Sequence, residues 1–217
     1  MKLLFENWRK YLKEGKAIAA NQSMHDYTKS AWRAYHAAGK EGKLKFNQPF
    51  FSAAVDGYDG EKIEVEMQIV KIPETANFNP GSMGVAGSTA GTQNQTIKIF
   101  QTREGIHHHD FKMWKPSVLH ELTHVIDPKF KLDPEEHPWR RTYKYGTEEY
   151  AVSPHEIDAL IRSSVEDAKI WPWGEPITTD LVRNYKPREW YEKIWYEKHP
   201  KIWKKLINSL YAERDDK

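Results

Sequence analysis

The 217 residues include no cysteine. That excludes a disulfide framework and any thiolate metal site, so a zinc ion here would have to be held by histidine and carboxylate. No apolar run approaches the roughly 20 residues that cross a bilayer. The N-terminus also lacks the uninterrupted apolar segment of a secretory signal. No membrane partner is expected, and a cytoplasmic protein is the default. Charge of one sign is missing overall, with 33 Lys/Arg against 31 Asp/Glu. Neither end carries the dense Arg/Lys clustering of a nucleic-acid surface, so no nucleic-acid partner is expected.

The charge that exists is unevenly spread. Residues 1–45 carry ten Lys/Arg against four Asp/Glu (+6), residues 46–176 carry 13 against 20 (−7), and residues 177–217 carry ten against seven (+3). An acidic centre suits a cation site and basic ends could touch nucleic acid or an acidic partner, but solvated Lys-rich helix faces are the preferred account of the ends. With 39% apolar residues, nine Trp, eleven Tyr and eight Phe, the chain can bury one substantial aromatic-rich core.

Periodicity then divides the chain. Met1–Glu14 reads as an amphipathic helix, with Leu3, Leu4, Trp8, Tyr11 and Leu12 on one stripe and Gly15 ending it. Residues 23–38 form a second helical pattern through Met24, Tyr27, Ala31, Ala34, Tyr35 and Ala38. Phe50–Val55, an Asp-Gly turn and the alternation Ile63, Val65, Met67, Ile69 predict a hairpin with one wet face. Residues 74–94 are rich in Gly, Ser, Thr and Asn and read as a mobile flap or hairpin loop. Thr96–Phe100 alternates as a strand. His107-His108-His109-Asp110 is expected to be a surface loop, because consecutive strand residues point to opposite sides and cannot readily converge on one ion. Trp171–Pro176 reads as a packed connector, followed by helices over about 187–198 and 200–212.

The chemistry concentrates in His120-Glu121-Leu122-Thr123-His124. Histidines four apart on a helix project from one face about a turn apart, near enough to grip one metal ion. Glu121 then sits where its carboxylate can reach a water on that metal without ligating it. Lys115-Pro116-Ser117 predicts the helix start, and Asp127-Pro128 predicts the stop. Asp127 shares the histidine face and either orients an imidazole or simply ends the helix. A second helix is expected from Ser153-Pro154-His155-Glu156 onward. Glu156 is preferred as third ligand, since two histidines with an open position need one more group. The other reading is a first-turn carboxylate favoured by the helix dipole, and His155, Asp158, Glu148 and Glu149 remain in reserve.

The helix with His120, Glu121 and His124 resembles the active-site helix of zincin metallopeptidases. Glu156-Ile157-Asp158-Ala159 is similar to the Glu-x-x-Ala segment of the gluzincin branch. The resemblance spans about residues 96–165. It departs at Leu160, where many members carry Asp or Asn, which leaves the groups around the ligands open. Asp127 and Phe130 do not fit the metzincin pattern. The resemblance implies an α+β fold, zincin-like, with a small mostly antiparallel sheet packed on an active-site helix and additional C-terminal helices. It implies Zn2+ held by His120, His124 and Glu156, with Glu121 as general base toward a polypeptide substrate. It also implies a substrate-aligning edge strand, assigned to residues 96–100. Tyr143, Tyr145, Tyr150 and His155 are oxyanion-donor candidates, of which Tyr150 and His155 are carried forward as catalytic.

Met1–Glu14 resembles the capsid-targeting leaders of proteins from T4-like tailed phages, in which a Leu-x-Glu site is cut; Leu12-Lys13-Glu14 fits. That implies phage capsid or prohead partners and a protein in the host cytoplasm or packaged in the virion. The expected organisation is residues 1–14 as leader or docking helix and 15–217 as one metallopeptidase-like domain, with a core over about 46–168 and a helical extension over about 177–213. The competing class is a non-catalytic phage virion or scaffold protein with a structural metal.

Overall fold

The computed structural model describes residues 22–57, 60–71, 83–86, 95–101, 111–126, 145–154, 156–170 and 176–214. The Met1–Glu14 helix, Asp127, His107–Asp110, Tyr143, His155 and the connector before Pro176 lie outside them. The fold is α+β: α1 (Gln22–Lys40), β1 (Pro49–Asp56), β2 (Lys62–Lys71), β3 (Met83–Ala86), β4 (Gln95–Gln101), α2 (Phe111–Ile126), α3 (Glu148–Ala151), α4 (Glu156–Ile170), α5 (Thr179–Arg183), α6 (Trp190–Lys198) and α7 (Pro200–Ala212).

The hairpin forms as its alternation requires. Ile63, Val65, Met67 and Ile69 are buried and the residues between them are not. Slipping β2 by one residue would turn all four to the wet face at about 2 kcal/mol each, which fixes the register Val55↔Ile63 and Ala53↔Val65. The turn closes through Gly57 N–H donating to the Glu61 carbonyl at 2.8 Å, and Gly60 takes φ +80°, which a residue with a Cβ would resist.

Two of the three strand pairs are antiparallel, as expected of a mostly antiparallel sheet, and one expectation, that of the edge strand, is corrected. The sheet order is β1-β2-β4-β3, with β2 and β4 parallel and the other two pairs antiparallel, so it is mixed. Residues 96–100 belong to an interior strand, and the edge on that side is β3, inside the stretch read as a loop. The reason is topological: the chain runs past the place of β4, turns at β3, and returns to insert β4 between β2 and β3. β2 and β4 are therefore neighbours in space without being neighbours in sequence.

α1 packs Met24, Tyr27 and Ala31 into one core with the sheet and buries Thr28 and Tyr35 as well, and the Tyr27 hydroxyl donates to the Val65 carbonyl at 3.2 Å. α2 closes the same core with Val118, Leu119, Leu122, Val125 and Ile126, while Trp114 packs on Trp32 at 5.2 Å between ring centroids. α2 starts at Phe111, earlier than the Lys115-Pro116-Ser117 signal, and carries Pro116 inside it. Proline is tolerated there at the loss of one intrahelical donor.

A second apolar core joins Ala151, Leu160, Ile161 and Val165 to Ile177, Val182, Tyr185, Tyr191, Trp195, Leu206 and Leu210 of the C-terminal region. α6 begins at Trp190, three residues later than expected, where the Glu189 and Glu192 side chains form a reciprocal capping box. α7 matches its expected span, whereas the short α3 and α5 were not foreseen. Each starts on a threonine, Thr147 and Thr178, whose hydroxyl accepts from a first-turn N–H. Among the described residues no helix is long and apolar enough to cross a membrane.

Candidate metal centre

α2 and α4 pack side by side and join the two cores. On α4, Glu156, Ala159, Ser163 and Glu166 fall on one stripe at helical spacing. Glu156 faces His120 and His124, Ser163 meets Pro116 and His120, and Glu166 pairs with Lys115 at 2.6 Å, so the helices run antiparallel. Buried Ala159 lies on that stripe and belongs to neither core. Its lack of side-chain bulk lets the α4 backbone come within reach of the His120 ring, which the Ala159 carbonyl faces.

His120 Nε2 and His124 Nε2 stand 3.1 Å apart, and Glu156 Oε2 lies 3.5 and 3.4 Å from them. A tetrahedral ion with ligand bonds of about 2.0–2.1 Å places its donor atoms about 3.3 Å from one another. The three separations match those edges, and two imidazoles with a carboxylate are a donor set that suits zinc. Among the described residues His120, His124 and Glu156 form the group of histidine and acidic side chains close enough together to hold a metal ion. No family model, curated protein or solved structure matches this chain. Function has to be read from the side chains themselves.

The electrostatics of the group follow from its crowding. Burial disfavours a charged Glu156, but the hydrogen bonds and charges of His120 and His124 outweigh that and hold its carboxyl far below the usual carboxylate range. Burial likewise opposes a charged His120, yet the Glu156 hydrogen bond and the charges of Glu121 and Glu156 raise its pKa above the ordinary histidine value. The attraction between the His120 imidazole and the Glu156 carboxylate supports this close arrangement, and the three donor atoms lie near enough together that they could hold a metal ion.

Glu121 is buried on the helix of the histidines, 8% exposed. Tyr150, on α3, is turned toward the group. Burial first, then the charge of Glu156, a hydrogen bond with Glu156 and the charge of Glu121, keep its phenol protonated far above the ordinary tyrosine range. Tyr145 packs edge-on against Tyr150 at 5.4 Å and accepts a hydrogen bond from Trp190 Nε1 at 3.3 Å. Tyr145 thus buttresses Tyr150, and it is itself 68% exposed.

The reserve carboxylates are engaged elsewhere. Glu148 pairs with Lys198 and His199, Asp158 pairs with Lys205, and Glu149 is exposed. Ser163, whose Oγ lies 3.4 Å from His120 Nδ1, was not singled out in the sequence. Its spacing of seven from Glu156 was the available signal.

Proposed function

We propose that the protein is a zinc-dependent metallopeptidase of the zincin type, gluzincin-like in its ligand set, that hydrolyses polypeptides. The observation that carries this is the convergence of His120, His124 and Glu156 from two helices at tetrahedral spacing, with buried Glu121 on the same helix as the histidines. Zn2+ bound there supplies Lewis acidity, lowering the pKa of its water toward about 7 and polarising the scissile carbonyl.

The chain's own groups do the rest. Glu121 takes the proton from the attacking water and passes it to the leaving amine. Tyr150, protonated across the working pH range, is suited to donate a hydrogen bond to the oxyanion. β3, the edge strand beside α2, offers main-chain groups to an extended peptide, which suits a substrate whose side chains vary. His155 stays a candidate from sequence alone.

Zinc analysis with a peptide-cleavage assay tests the reading. Glu121→Gln keeps zinc and loses hydrolysis by at least about a hundredfold, His120→Ala loses zinc, and Tyr150→Phe lowers kcat by about a hundredfold or more with KM nearly kept. A fully active Glu121→Gln rejects the mechanism.

A second reading rests on the burial of the group at the seam between the two cores, with His124 4% and Glu156 9% exposed. A virion or scaffold protein of a tailed phage would use such a metal only to pin the cores together. Zinc-loaded wild type without hydrolysis is its signature.

A further inference from the structure

Ser163 stands on α4 seven residues beyond Glu156, on the side that faces α2. Its Oγ lies 3.4 Å from the Pro116 carbonyl and 3.4 Å from His120 Nδ1. The direction of both contacts follows from counting protons. A hydroxyl has one hydrogen, and a carbonyl oxygen can only accept. If that hydrogen is given to Pro116, only the lone pairs of Ser163 are left for the ring. The Ala159 carbonyl, which also faces His120, is an acceptor as well. The nitrogen toward Ser163 must then carry N–H, and in the metal-bound state the lone pair belongs to Nε2. That is the atom 3.1 Å from His124 Nε2 and 3.5 Å from Glu156 Oε2.

From this geometry we infer that Ser163 is a positioning residue of the metal centre. Anchored on Pro116, it holds the His120 ring in the Nδ1–H tautomer and aims Nε2 at the ion. The inference rests on the metal reading and deepens it. Leu160, where the gluzincin pattern often has Asp or Asn, is 4% exposed and packs into the C-terminal core. The polar partner of the imidazole is supplied instead by Ser163, on the α2 side of the same helix. Partners of this kind commonly change metal affinity 10–100-fold. Contacts of 3.4 Å, with a second acceptor nearby, place Ser163 at the lower end.

The test compares zinc dissociation constants, by chelator competition, for wild type, Ser163→Ala and Ser163→Thr. It adds the melting temperature of each metal-free protein and the long-range proton–nitrogen NMR spectrum of the zinc-loaded forms. Ser163→Ala weakens zinc about tenfold while Ser163→Thr, which keeps the hydroxyl, stays within about threefold. Melting of the metal-free protein barely moves. The His120 Nδ1–H signal, protected from exchange in wild type, exchanges faster in Ser163→Ala. Equal zinc affinity in Ser163→Ala and wild type overturns the proposal, because the Ala159 carbonyl then suffices. Equal weakening in both variants also overturns it, because packing and not the hydroxyl is then at work. A wild type that takes up no zinc fails earlier, at the metal centre itself.

Discussion

At the scale of single residues, burial decides what each ionisable group does. Glu166 is fully buried but faces Lys115, Lys169 and Arg162, and although burial opposes its charge, Lys169 and Lys115 hold its carboxyl down to about 2. Its neighbour Asp167 is half-buried. Burial and the charges of Glu189, Glu192 and Glu166 push its carboxyl up to about 7 from an ordinary value of 3.8, against the charge of Arg188. The folded state therefore holds this proton more tightly than the unfolded chain between about pH 4 and 7. Stability falls as pH rises through that window, and the whole penalty is present above it. Asp167→Asn is expected to stabilise the protein by roughly 2 kcal/mol at pH 8 and to change little at pH 4. Denaturant unfolding at the two pH values checks this, and equal effects at both would contradict it. In the sequence His120, Glu121 and His124 were legible because their geometry is local to one helix. Ser163 was not, since a serine signals nothing until the helix opposite it is known.

At the scale of elements, the site is made by the approach of α2 and α4, and Ala159 sets how near they come. Replacing it with Leu inserts three carbons into a fully buried position, which costs about 1–3 kcal/mol in a packed interior. The helices must part, and Glu156 moves away from the imidazoles. Ala159→Leu is expected to keep its helical circular dichroism and to lose at least about tenfold in zinc affinity. Undiminished affinity would mean that the spacing is set elsewhere. α1, the β1–β2 hairpin and α7 could be read from periodicity because each has a wetter and a drier face, whereas α4, which has no exposed residue among those described, was legible from its start signal at Ser153-Pro154. β3 could not: four residues in a Gly- and Ser-rich stretch carry no period, and only their pairing with β4 makes them a strand. The start of α2 was misplaced because Pro116 reads as a first-turn residue, yet sits inside a helix whose other residues pack well enough to tolerate it.

At the scale of the whole molecule, two apolar cores meet along α2 and α4. Composition allowed one core and could not show that the C-terminal helices would build their own, because that depends on which helix faces meet. The candidate site lies where the halves join, so the proposed ligands His120 and His124 from one half and Glu156 from the other come together only when both are folded. Zinc-edge X-ray absorption on the zinc-loaded protein tests the centre most directly, with anomalous diffraction assigning the ligands. Two imidazole nitrogens and one carboxylate oxygen at about 2.0–2.2 Å, from His120, His124 and Glu156, with one further exchangeable light atom, are the expected result. A zinc ion bound elsewhere, or a centre without Glu156, would contradict it.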